Sequence, residues 1–153
     1  MRRNVVLTLT IAVMMALALP AGATSPSQIH IEVDTSLLGA PSPFVASGPA
    51  VDAGLMCTDG MVVDASGKAE GFSPTGFNFQ GVKQFTCDDG SGEFFVNIKA
   101  RIDFRKGTTF QWNVLNGTGD YVDLHGAGSG VGLQDCGLDC VLDVYDGGLR
   151  IDP

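Results

Sequence analysis

Positive charge is scarce in this chain: 9 Lys and Arg residues stand against 17 Asp and Glu, and two of the nine are Arg2 and Arg3. Such an acidic chain lacks the basic patches that nucleic acids and anionic membranes require, so neither is expected as a partner. Histidine is nearly missing, with only His30 and His125. No serine or cysteine nucleophile motif accompanies either one, so a hydrolase triad lacks its parts. Beyond residue 24 no apolar run is long enough to span a bilayer, and helical periodicity is almost absent. The missing helices exclude a βαβ architecture. Long charge runs are missing too, while Val, Ile, Leu and Phe recur throughout, which excludes a disordered chain.

What is there begins with an export signal. Arg2 and Arg3 precede an apolar run from Val5 to Leu19, Pro20 ends it, and Ala21-Gly22-Ala23 has the small-x-small form that a signal peptidase reads. Residues 1–23 are therefore expected to be removed, leaving 24–153 as a single domain outside the cytoplasm, secreted or periplasmic. No membrane attachment is expected after cleavage. The mature chain would carry 7 basic and 17 acidic residues, a formal charge of 7 − 17 = −10.

Four cysteines, Cys57, Cys87, Cys136 and Cys140, suit that compartment as disulfides. Three pairings are open, and Cys57–Cys87 with Cys136–Cys140 is favoured. In the chain-entropy picture a 30-residue loop contributes about 3.6 kcal/mol and the short loop about 2. A zinc site is disfavoured, because Cys136-Gly-Leu-Asp-Cys140 is not a knuckle spacing and the other two lack close partners. No metal and no cofactor is expected.

The body of the chain alternates. From Glu93 to Phe104 every even position is apolar, while Asn97, Lys99, Arg101 and Asp103 occupy odd ones. Arg105-Lys106-Gly107 reads as a turn, and Phe110, Trp112 and Val114 continue one face in a second strand. Shorter runs at 29–33, 61–63, 77–79, 82–87 and 141–145 read as further strands, with prolines 41, 43, 49 and 74 in loops. Glycines 126, 128, 130 and 132 share one face of a strand, which permits a tight bend or lets neighbouring aromatics cover the backbone. The fold is expected to be all-β, a barrel in preference to a β-sandwich.

Leu115-Asn116-Gly117-Thr118-Gly119-Asp120-Tyr121, followed by Leu124-His125-Gly126-Ala127-Gly128, resembles a segment of allene oxide cyclase-like and dirigent-like barrels. The stretch from Phe85 to Gly92 is similar to exported bacterial members of that group. The resemblance covers about residues 82 to 133. It implies a single antiparallel eight-stranded barrel with a lipocalin-like interior, a strand ending at a glycine turn, and a short helical turn carrying the aromatic. It transfers no catalytic residue. It permits homo-oligomers, because the plant relatives form dimers and trimers.

Candidate sites are sparse. His30 reads as a surface residue. His125, with Asp123 two residues away, is the one weak catalytic candidate, and a structural role is favoured for it. The loop from Asp88 to Glu93 lacks the ligand spacing of a calcium loop and reads as a solvated turn. Phe94, Val96, Ile98, Phe104, Phe110 and Trp112 either fill the core or line a cavity for an apolar small molecule. The leading expectation is a non-catalytic exported barrel that binds such a molecule or a partner. The alternatives are an isomerase- or cyclase-like enzyme for a hydrophobic substrate, which needs ionisable groups inside the barrel, and a structural cell-surface scaffold.

Overall fold

The computed structural model describes residues 25–133 and 139–152. The expected signal segment and Cys136 lie outside them. Eight strands follow one another as a meander: β1 Ser27–Ser36, β2 Ser42–Ser47, β3 Asp59–Ser73, β4 Gly76–Cys87, β5 Glu93–Asp103, β6 Gly107–Gly117, β7 Leu124–Leu133 and β8 Cys140–Ile151. Each pairs antiparallel with the next, and β8 returns to pair with β1, closing a barrel. A single-turn helix, α1 Pro49–Asp52, and a 3-10 turn at Gly119–Tyr121 are the helical pieces among the described residues.

Alternation decides which side chains enter. Ile29, Ile31 and Val33 of β1, Phe85 of β4, Phe94, Val96 and Ile98 of β5, Phe110 and Trp112 of β6, and Tyr145 and Leu149 of β8 are buried inside. Phe104 leaves the pattern. It follows the last residue of β5, in the turn, and is 62 % exposed. Two of the prolines assigned to loops also move. Pro49 starts α1, where its missing N–H costs no helical bond. Pro43 lies within β2, which pairs with β1 only from Phe44 onward, so no β1 partner faces it.

The two barrel ends differ. One end holds α1, the 3-10 turn and the connections β2–β3, β4–β5 and β6–β7. It is plugged by Ala50, Met56 and Tyr121. The Cys57–Cys87 disulfide ties the β2–β3 connection to the end of β4 there. The Tyr121 hydroxyl accepts the Cys57 N–H at 3.1 Å and lies 2.7 Å from Ser91 Oγ. At the other end the core stops short. Inward-phase Phe77, Phe79, Ile102, Thr108 and Val141 are only half-buried, and Gly67 and Ala69 are exposed. This end is the barrel mouth.

Three register shifts interrupt the ladders, one of them between Glu70 and Ser73 near the end of β3. Between Asp64 and Ser66 of β3 the register shifts, leaving Ala65 extra and passing the inward phase from even to odd positions. A second shift between Phe95 and Val96 of β5 leaves Leu115 of β6 extra and exposed.

The glycines of β7 face inward. A Cβ on Gly130 would lie 2.2 Å from the Phe110 ring, and one on Gly128 2.8 Å from Trp112 Nε1. The aromatics of β6 therefore lie over bare backbone, and the Trp112 Nε1–H donates to the Ser129 carbonyl at 3.2 Å.

Candidate functional site

Five polar side chains meet inside the barrel where the apolar core ends: Thr35, Asp64, Lys83, Asp143 and Tyr145. Each sits in the phase of a core residue. Lys83 follows Phe79 and Gly81 and precedes Phe85 on the inner face of β4, and Asp143 precedes Tyr145 on that of β8. Asp64 is the register partner of Lys83 and ends the even-phase inner run of β3 just before the bulge.

Lys83 is buried, and its Nζ lies 3.0 Å from Asp64 Oδ1. Thr35 Oγ1 donates to Asp143 Oδ2 at 2.7 Å. Gly132 is the register partner of Asp143, and a Cβ there would stand 2.9 Å from Asp143 Oδ1, so the bare glycine makes room for the carboxylate. The Asp64 side chain is 52 % exposed although it points inward, so solvent reaches the cluster through the mouth. Below it the Tyr145 ring packs edge-on to Phe110 at 4.7 Å and to Phe85 at 5.8 Å.

Burial raises the Asp143 carboxyl above the ordinary carboxylate range, and the Asp64 charge adds to this. The Thr35 hydrogen bond and the Lys83 charge act against it. Burial, helped by the charges of Asp143 and Asp64, drives the Tyr145 phenol far above its usual range, so it stays a neutral donor. Among the described residues the buried Tyr145 hydroxyl has no hydrogen-bond partner. Buried polar atoms are ordinarily satisfied, so this one marks a place where a group from outside could be received. Chemically the cluster offers a cation, a carboxyl inclined to hold its proton, and a phenolic donor.

The residues singled out from sequence lie elsewhere. His125 points outward from β7, and its Nε2 is 3.4 Å from Asp152 Oδ2 rather than beside Asp123. Asp123 precedes the first residue of β7, in the turn, where strand alternation has not begun. His30 is an outer residue of β1 bonded to Asp146 at 2.7 Å, and that bond raises its pKa. In the loop from Asp88 to Glu93, Asp89 Oδ1 accepts the Ser91 N–H at 2.9 Å as a turn. Phe94, Val96, Ile98, Phe110 and Trp112 are buried among one another and the other core residues.

A broad open groove of about 1110 Å³ crosses β3 to β7, lined mostly by residues in the outward phase together with inward-phase Phe79 and Phe110. Amides of Gln80, Asn97 and Gln111 and the cations Lys99 and Arg101 line it, while Lys68 is ion-paired with Glu70. No family model, no curated protein and no solved structure matches the chain.

Proposed function

We propose that this is an exported binding barrel. A small molecule with an apolar body and one hydrogen-bonding group enters the mouth and sets that group against Lys83, Asp143 and the Tyr145 hydroxyl. The observation that carries the reading is the unpartnered phenol of Tyr145, buried beside a carboxyl that burial already disfavours in its charged form. The half-buried Phe79 and Ile102 above the cluster supply apolar contact for the rest of the molecule.

A second reading has its own support. The resemblance to allene oxide cyclase-like barrels suggests isomerisation or cyclisation of a hydrophobic substrate, and such chemistry requires ionisable groups inside the barrel. Asp143, with its raised pKa, suits a general acid, and Lys83 suits stabilisation of developing negative charge. In this reading the barrel holds the same kind of molecule but changes it.

Native mass spectrometry of the exported, unreduced protein tests both. A mass above the polypeptide, lost on denaturation and lost again in Asp143→Asn and Tyr145→Phe, is the expected result. A bare wild-type mass after incubation with a lipid extract of the producing cells sinks the binding reading. Release of a chemically altered molecule by wild type, and of the unaltered one by Asp143→Asn, selects the enzyme.

A further inference from the structure

The register of five strands gives the broad groove its order. Lys68 of β3, Gln80 of β4, Lys99 of β5, Gln111 of β6 and Ser129 of β7 are successive register partners, all in the outward phase. Two residues nearer the mouth runs a second outward row, Glu70, Asn78, Arg101, Thr109 and Val131. At the usual strand spacing each row is about 19 Å long, and the two stand about 7 Å apart. Between them Phe79, Ala100, Phe110 and Gly130 are register partners in the inward phase, so their main chain forms the floor. The two rows make a trough across the barrel wall, facing away from the interior cluster.

Outward amides beside the trough pair locally: Gln84 Nε2 donates to Glu93 Oε2 at 2.6 Å, and Asn97 Nδ2 to Asn113 Oδ1 at 3.2 Å. The trough differs. Among the described residues no hydrogen bond or ion pair engages the side chains of Asn78, Gln80, Lys99, Arg101, Thr109 or Gln111. Lys99 and Arg101 share the central strand, each with an amide or hydroxyl neighbour on both sides. Glu70 is the one acid lining the groove, and it is paired with Lys68, which leaves two cations in surplus where the whole chain carries −8. The next acid outward on β5, Asp103, lies beyond the trough, where its Oδ1 accepts the backbone N–H groups of Arg105 and Lys106 at 2.9 and 3.1 Å.

We infer that the trough binds a linear acidic oligosaccharide, with a uronate carboxylate held between Lys99 and Arg101 and sugar hydroxyls on Gln80, Gln111, Asn78 and Thr109. Side-chain amides and hydroxyls both donate and accept, as sugar hydroxyls do, and two cations on the central strand suit one carboxylate. The strands present a polar side chain at each step of about 4.8 Å, close to the length of one sugar unit in an extended chain. Other polymers fit less well. A peptide would add a strand at a sheet edge, and the closed barrel leaves none. Single-stranded nucleic acid needs aromatic platforms, and neither row holds an aromatic. A membrane needs apolar anchors, whereas Val131 is the one apolar residue in the two rows. Such binding is independent of whether the interior holds a ligand.

The test is isothermal titration of the exported protein with tetramers of galacturonic, guluronic and mannuronic acid, and with the same tetramers methyl-esterified at their carboxyls. At least one uronate tetramer is expected to saturate a single site, roughly tenfold tighter than its neutral ester. Lys99→Gln/Arg101→Gln should lose roughly tenfold on the acidic tetramer and little on the ester. Gln80→Ala/Gln111→Ala should lose about fivefold on both. All four residues are exposed, and an unchanged melting temperature confirms that each variant is folded. Absence of binding by all three tetramers overturns the inference, as does binding that the cation variant leaves unchanged. Binding that the amide variant leaves intact reduces the trough to bare charge and overturns it too. So does concentration-dependent assembly without sugar that the cation variant abolishes, which would assign the trough to a second copy.

Discussion

Burying Asp143 disfavours its ionised form, and Thr35 and Lys83 offset this only in part. Its folded pKa lies above the unfolded value, so its contribution to stability is complete below the ordinary carboxylate pKa and is lost as pH rises through the raised one. Asp89 and Asp103, lowered by hydrogen bonds in their turns, act in the opposite sense and only below the ordinary range. The melting temperature of the wild type should therefore climb as pH falls from 7 toward about 4.5. Asp143→Asn should flatten that slope to the smaller part that His30, whose pKa is also raised, contributes, and be the more stable protein at pH 7, by about 1 kcal/mol. A variant that melted well below wild type at pH 7 would show that the charge stabilises the fold. Lys83→Met should push the carboxyl further up, read as a later midpoint in a carbon-13 titration of Asp143. Tyr145→Phe removes a buried hydroxyl that has no partner among the described residues, so stability should hold or rise by about 1 kcal/mol in urea unfolding. A protein whose interior becomes more stable when its polar groups are deleted keeps those groups for another reason than folding.

At the level of strands, the phase of a polar residue carries more information than its identity. The hairpin of β5 and β6 is legible in sequence because its alternation is almost unbroken from Glu93 to Val114. Strand β3 is legible only as 61–63, because the second half, Ala65 to Gly71, lines an exposed mouth and has no apolar face to repeat. Pro43 conceals β2. The interior cluster escaped notice for a related reason: Lys83 and Asp143 interrupt alternation and so look like weak strand, although each stands in step with Phe85 or Tyr145. A charge in the phase of the core is the signal that could have found them. The glycine face of β7 was legible as a site for covering aromatics, and Phe110 and Trp112 are those aromatics. Gly130→Ala should cost about 1–3 kcal/mol or more in chemical denaturation, since its Cβ would meet both the Phe110 ring and, at 2.3 Å, the Val144 carbonyl. An unchanged midpoint would mean that β7 and β8 separate easily at this point.

Across the whole molecule, the plugged end gathers several ties between connections. The disulfide, the Tyr121 hydroxyl network and α1 lie together on one side, opposite the barrel mouth. Replacing Cys57 and Cys87 by alanine should cost about 3 kcal/mol in denaturant, most of it through a less restricted unfolded chain. Because the bond lies at the far end from the cluster, ligand retention by the folded fraction should be unaffected. Loss of retention at full folding would show that the two ends are coupled.

The seam between β1 and β8 sets the order in which this molecule can become itself. Ser27 pairs with Leu149, residues 149 − 27 = 122 positions apart, and nine consecutive partners follow down to Ser36 with Cys140. Hairpins such as β5–β6 can form early from near neighbours, but the cylinder stays an open ribbon with two unpaired margins until its final strand arrives. The chain is thus most exposed to mispairing just before completion, and the last dozen residues act as its clasp.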